Sequence, residues 1–203
     1  MPKRIYQFKI TLKGITPTIW RRIQVPETYS FWDLHVAIQD VMGWLDCHLH
    51  LFQVHRKHVP VPIEIGIPDD IGIPDDYAIE GDSEIHAGWE APVSDLFYTV
   101  GDTANYEYDF GDGWHHEILL EGIFLREKGQ KFPKCIDGAR ACPPEDCGGV
   151  HGYYRMLEVL ADPGDEEHES MLEWMGGGYD PQEFAPGKVK FDNPTKRWKR
   201  AFS

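Results

Sequence analysis

The sequence predicts an α+β fold: a β-grasp-like mixed sheet with one helix packed across it, and a pair of helices near the C-terminus. Three observations indicate this. Apolar and polar residues alternate over residues 5–12 and 19–25, which is the period of half-buried strands. A helical period follows over residues 31–42, and two more helical patterns follow residue 149. Seven Trp, nine Tyr and ten Phe supply bulky groups for a core.

The first elements have clear boundary signals. Gly14 and Pro17 mark a turn between the two alternating stretches and predict a hairpin. Ser30 with Asp33 is typical of a capping box, in which the acid is here Asp, and Gly43 ends the helix that follows. The apolar face of that helix consists of Phe31, Leu34, Ile38, Val41 and Met42. The next strand is predicted over residues 49–54.

The segment from about residue 60 to residue 90 is predicted to be an exposed, variable loop. The hexapeptide at 65–70 (Ile-Gly-Ile-Pro-Asp-Asp) recurs identically at 71–76. One duplication is too short for a solenoid, which needs at least three repeats. The paired acids could attract calcium, but their spacing lacks the EF-hand pattern, so a solvated loop is favoured.

A second hairpin is predicted from strands over 106–110 and 114–120, joined by Gly-Asp-Gly at 111–113. A Pro/Cys/Gly-rich segment over 132–149 leads into helices at about 150–161 and 165–175. Three glycines at 176–178 end the second of these helices. We expect residues 1–203 to form one domain.

The charge distribution restricts the classes of partner. A net charge of −14 makes the body of the protein a poor match for a phosphate backbone. The basic tail, residues 188–203, carries six basic residues and one acidic residue, so a DNA-associated accessory factor would have to bind through it. Such tails more often are solvated or lie on the protein's own acidic face. No apolar run has the length of a signal peptide core or a membrane span, so a cytoplasmic protein is expected.

Cysteine spacing indicates a first candidate metal site. Cys135, Cys142 and Cys147 follow the pattern C-x6-C-x4-C, and His151 comes four residues later. Four such ligands would suit tetrahedral zinc. The alternative is that the cysteines serve as small buried hydrophobes, because the tight C-x2-C spacing of zinc knuckles is missing.

His48 and His50 form a second candidate, since residues i and i+2 of a strand point to the same side. Together with Asp109 or Asp112 they could build a metal-dependent hydrolase. The alternative is that both histidines belong to the sheet and both acids bond to a turn backbone. The standard motifs of phosphate loops, nucleophile elbows and zinc proteases are absent, so an enzyme is not favoured.

A candidate binding surface lies where the second hairpin meets the Pro/Cys/Gly-rich segment at 132–149, called the Cys/Gly segment below. Exposed aromatic side chains there would suit a protein or peptide partner, and Gly148-Gly149 before a helix could bind an anion. The residues of this surface are Tyr106, Tyr108, Asp109, Asp112, Trp114, His116, Glu145, Asp146, Gly148, Gly149 and Tyr153.

Several segments together resemble one family. They are Ile-Trp-Arg-Arg at 19–22, His-Leu-His-Leu-Phe at 48–52, Tyr-Asp-Phe-Gly-Asp at 108–112, Pro-Pro-Glu-Asp-Cys-Gly-Gly at 143–149 and Tyr-Asp-Pro at 179–181. The chain resembles the plasmid open-reading-frame-three-like family, whose members have no assigned function. The resemblance implies a single α+β domain. Some members carry a resolvase label, which the acidic body does not support. The leading hypothesis is a non-catalytic binding module with a structural metal.

Overall fold

The strands and helices account for most of the described chain. The computed structural model describes residues 3–56, 61–68 and 85–202. The strands in that part of the chain are β1 (Arg4–Leu12), β2 (Trp20–Pro26), β3 (His50–Val54), β4 (Ile63–Gly66), β5 (Ile85–Ala87), β6 (Thr103–Tyr108), β7 (Trp114–Leu125) and β8 (Lys134–Ala139). The α-helices are α1 (Phe31–Met42), α2 (Gly149–Ala161), α3 (His168–Trp174) and α4 (Pro194–Ala201).

All eight strands join one sheet in the order β5-β4-β3-β6-β7-β1-β2-β8. The β4–β5 pair is parallel and the other pairs are antiparallel, so the sheet is mixed. Helix α1 packs across one face, where the ring of Phe31 lies 5.0 Å from that of Phe52 on β3. The predicted α+β fold, with a mixed sheet and a helix across it, is confirmed.

The start and end of α1 follow directly from the local sequence. Ser30 Oγ accepts a hydrogen bond from the Asp33 amide, and the Asp33 carboxylate accepts one from the Ser30 amide. This is the predicted capping box, which satisfies two amides that have no partner inside the helix. Gly43 ends the helix at φ +86°, a conformation that glycine adopts without steric cost.

The core lies between α1 and the inward face of the sheet. The predicted face of β1, with Tyr6 and Phe8 at its start, is buried. The β6–β7 hairpin is present, with Tyr108 paired to Trp114 next to the turn. The expectation of exposed aromatic side chains at this hairpin is wrong, because the face that carries them is the core face. Tyr106, Tyr108, Trp114 and Tyr153 are all fully buried.

The region of about 60–90 is only partly the predicted loop. Strands β4 and β5 lie within it at the edge of the sheet, and Ile65 is fully buried. Alternation of apolar residues in such short segments gives too weak a signal to predict strands. Most of the duplicated hexapeptide, residues 69–76, lies outside the described residues.

The C-terminal third folds back onto the body. Helices α2 and α3 form the predicted helical pair and contact each other. Beyond them, α4 places the Trp198 ring 5.3 Å from that of Trp32 and 4.3 Å from that of Trp89. The basic tail is therefore largely a docked helix on an acidic and aromatic surface. None of the helices in the described ranges is long and apolar enough to cross a bilayer.

Candidate metal centre

The segment that leads from α1 into β3 is held in place by aromatic and polar contacts. Trp44 stacks on Tyr108 with ring centroids 5.0 Å apart, and its indole N–H donates to the Pro143 carbonyl at 2.9 Å. The Tyr108 hydroxyl accepts from the Cys47 amide at 3.0 Å and donates to Glu145 at 3.0 Å. The start of β3 and the Cys/Gly segment are thus bound to each other through β6.

The turn between β6 and β7 positions a carboxylate beside that junction. Asp109 has φ +58°, and its Oδ1 accepts from the amides of Gly111 at 3.0 Å and Asp112 at 3.2 Å. These bonds fix the side chain, which is 8% exposed, and leave Oδ2 available. Asp112 Oδ2 accepts from the Gly148 amide at 3.2 Å, which joins the hairpin to the N-terminus of α2.

Three potential ligands meet at this place. His48 Nε2 lies 3.5 Å from Asp109 Oδ2 and 3.0 Å from Asp146 Oδ1, and all three atoms lie within 4.8 Å of one another. The Nε2 atom is buried and lies at ion-pair distance from both carboxylates, but it makes no hydrogen bond to any described residue. An imidazole nitrogen and two carboxylate oxygens that converge in this way could serve as ligands of a divalent cation.

The three ligands differ in rigidity. Asp109 is buried and hydrogen-bonded, whereas the side chain of Asp146 is 70% exposed on a left-handed residue with φ +55°. Asp is one of the residues that most often adopts this backbone region. The group is therefore closed on the protein side and open toward solvent, and a cation held by these three residues would keep further coordination positions available.

The predicted cysteine site is not assembled as one ligand group. Among the described residues, the group of three or more ligands that could hold a metal contains His48, Asp109 and Asp146, and no cysteine. Cys135 lies on edge strand β8, and His151 is exposed on α2. Burial raises the pKa of the Cys142 thiol and raises that of Cys147 to about 12, so both thiols remain protonated near neutral pH.

The predicted histidine pair is separated. Strand β3 begins at His50, so His48 precedes it and the i, i+2 rule does not apply to the pair. His50 is 4% exposed and stacks on His35 with ring centroids 3.5 Å apart. Burial lowers the pKa of His50 well below its usual value. His116, a member of the predicted surface, is likewise a core residue.

A buried polar network lies under α1, next to His50. Gln39 Nε2 donates to the Tyr106 hydroxyl at 3.0 Å, and that hydroxyl lies 2.8 Å from His35 Nδ1. His35 Nε2 lies 2.7 Å from Asp46 Oδ1. These three contacts are consistent with one another when Tyr106 donates to His35 and His35 donates to Asp46, whereas Gln39 Oε1 has no hydrogen-bond partner among the described residues.

This network continues into the C-terminal helix. Arg197 Nη1 lies 3.5 Å from Asp46 Oδ2, and Arg197 Nη2 lies 2.6 Å from Asp40 Oδ1. Burial would raise the pKa of Asp46, but the contact with His35 and the charge of Arg197 outweigh it and lower that pKa to about 2. Sequence reasoning missed the network. The available signal was that His35 and Gln39 fall on the apolar face of α1.

The family model of the plasmid pRiA4b ORF-3-like protein matches residues 4–188. The chain belongs to the plasmid pRiA4b ORF-3-like family. The resemblance in the sequence is thereby confirmed, and the matched range contains His48, Asp109 and Asp146 but ends before α4.

Two relatives of this pRiA4b ORF-3-like chain cover nearly its whole length. Uncharacterized protein y4hQ of Sinorhizobium fredii is 34% identical over 203 residues, which is 98% of this chain and 97% of the relative. The crystal structure of MM3350 from Methanosarcina mazei Go1, a protein of unknown function, has a TM-score of 0.80 and 43% identity. That match covers 94% of this chain and all of the other chain.

Proposed function

We propose that this protein is a cation-dependent binding module whose divalent cation is held by His48 Nε2, Asp109 Oδ2 and Asp146 Oδ1. The observation that carries the proposal is the buried Nε2 atom, which faces two carboxylate oxygens at 3.0 and 3.5 Å without a hydrogen bond. A buried polar atom without a hydrogen bond is costly, and an ion at the site is one of the arrangements that explain such an atom. A cation would satisfy all three atoms together.

The identity of the ligands indicates the metal. One imidazole and two carboxylates suit Zn²⁺ or Mn²⁺ better than a thiolate-preferring metal. The cation would connect the segment before β3, the β6–β7 turn and the Cys/Gly segment, and would therefore stabilise the fold by mass action. The partner would supply the remaining ligand on the open side beside the exposed Asp146.

Binding is better supported than hydrolysis. In the hydrolase hypothesis His48 and His50 build the centre with either Asp109 or Asp112. His48 does lie beside Asp109, but His50 packs on His35 and Asp112 accepts from the Gly148 amide. A binding role needs only the open coordination positions. The free cysteines are compatible with a reducing compartment, and we propose a cytosolic location.

The test is cation titration by calorimetry after dialysis against EDTA, with Zn²⁺ and Mn²⁺ measured separately. Asp109→Asn keeps an oxygen for the turn amides and removes the charged ligand. We expect one cation per wild-type chain, no detectable binding by Asp109→Asn, and unchanged binding by the control variant Cys142→Ser, Cys147→Ser. Undiminished stoichiometry in Asp109→Asn, or its loss in the cysteine variant, would contradict the proposed site.

A further inference from the structure

A groove between α2 and α3 shares one residue with the cation site. It encloses about 350 Å³, within the usual range for a small-molecule site. Its apolar lining includes Met156, which is 1% exposed, the half-buried Met171, and Trp174, which is 50% exposed. Methionine side chains adapt to varied apolar shapes. Asp146 also lines the groove, whereas His48 and Asp109 do not, so a cation held by the three residues would lie at the edge of the groove next to Asp146.

The charges of the groove restrict what it can bind. Its described lining contains no Lys, Arg or His, and its two acidic residues are Asp146 and Glu167. Arg155, outside the lining, pairs with Glu167 at 2.7 Å. Without a bound cation, the negatively charged carboxylate of Asp146 would repel an anionic head group. With a divalent cation on Asp146, the same wall would attract one and would offer it a coordination position.

We infer that the groove binds an apolar carboxylic acid, with the carboxylate on the cation and the apolar chain against Met156, Met171 and Trp174. This inference rests on the proposed cation site and names the class of its ligand. Carboxylate oxygen is a common ligand of Zn²⁺ and Mn²⁺, and it would complete a centre that has three protein ligands. The apolar chain gains free energy from the surface that it buries in the groove.

Octanoate is the probe, titrated by calorimetry into wild-type protein with the cation bound and after removal of the cation by EDTA. We expect octanoate to bind the cation-loaded protein and to bind at least about tenfold more weakly without it. Octylammonium, which has the same chain and the opposite charge, should not bind. Met171→Glu should retain cation stoichiometry and lose octanoate binding. Trp174→Ala, at a half-exposed position, repeats the test if Met171→Glu fails to fold.

The outcomes separate this inference from the proposed function. No cation binding by the wild type would refute both. Cation binding without octanoate binding would refute only the ligand assignment. Octanoate binding of equal affinity with and without the cation would show that the carboxylate does not contact the cation. Octanoate binding that is unchanged in both groove variants would show that the chain does not lie in this groove. Either result would refute the ligand assignment.

Discussion

Acid should destabilise this protein through His116. The side chain is 1% exposed, its Nδ1 lies 3.3 Å from the Tyr106 carbonyl oxygen, and its Nε2 has no hydrogen-bond partner in the described part of the chain. Burial lowers the pKa of His116 to about 3. The unfolded chain has the ordinary histidine pKa of about 6.5. It therefore takes up a proton that the folded chain does not, and stability is complete above about pH 6.5 and decreases as the pH falls from there toward 3.

The magnitude follows from the difference between the two pKa values. Each pH unit below 6.5 costs about 1.4 kcal/mol per buried neutral histidine, so His116 alone removes about 2 kcal/mol by pH 5. That is a substantial part of a typical folding free energy of about 5–15 kcal/mol. His50, whose pKa burial also lowers, changes stability in the same direction.

The assay is urea denaturation followed by fluorescence at several pH values between 5 and 7. His116→Leu should reduce the slope of unfolding free energy against pH by about 1.4 kcal/mol per unit, since one titrating group is lost. His115→Leu is the matched control, because His115 is an exposed neighbour on the same strand and should affect the slope much less. A wild-type slope in His116→Leu would refute the claim that His116 is buried in its neutral form.

Two further predictions concern stability, each with a control in the same chain. Arg197→Ala should lower unfolding free energy by about 3–5 kcal/mol because it removes the guanidinium that pairs with the buried carboxylates of Asp40 and Asp46, and Asp46 then keeps only its contact with His35. The exposed Arg200→Ala should cost less than about 1 kcal/mol in the same denaturation assay. Gly149→Ala should lower the melting temperature more than Gly176→Ala. Both glycines have positive φ, but a Cβ at 149 would lie 2.3 Å from the Asp112 carbonyl oxygen and one at 176 would meet nothing. Equal losses within either pair would contradict the packing described.

Features that depend on neighbours in sequence could be predicted. The capping box of Ser30 and Asp33 requires residues three apart, and the β1 face requires only alternation. Alternation also predicts correctly that the side chains of Tyr106 and Tyr108 lie on the same face of a strand. It does not say whether their shared face meets the core or the solvent, since aromatic side chains suit both. The prediction of their exposure failed at that step.

The candidate metal centre depends on contacts between distant segments. His48, Asp109 and Asp146 could each be named from sequence, but in separate hypotheses: a histidine pair, a turn and a surface loop. What brings His48 to Asp109 is the pairing of β3 with β6, strands that are not consecutive, including the bond from the Asp109 amide to the Leu49 carbonyl. What brings Asp146 there is a left-handed turn in the Cys/Gly segment. Neither follows from periodicity or spacing.

The charge of the molecule argues for cations rather than phosphates as its ionic ligands. The basic tail is the feature that favours nucleic acid, yet Arg197 and Arg200 form ion pairs with acids of the protein, and Lys188 pairs with Glu183. Charges already neutralised in this way release few counterions on binding a phosphate backbone, so DNA affinity should depend only weakly on salt. The acidic body meanwhile concentrates cations near its surface, and the proposed centre at Asp109 would offer them ligands.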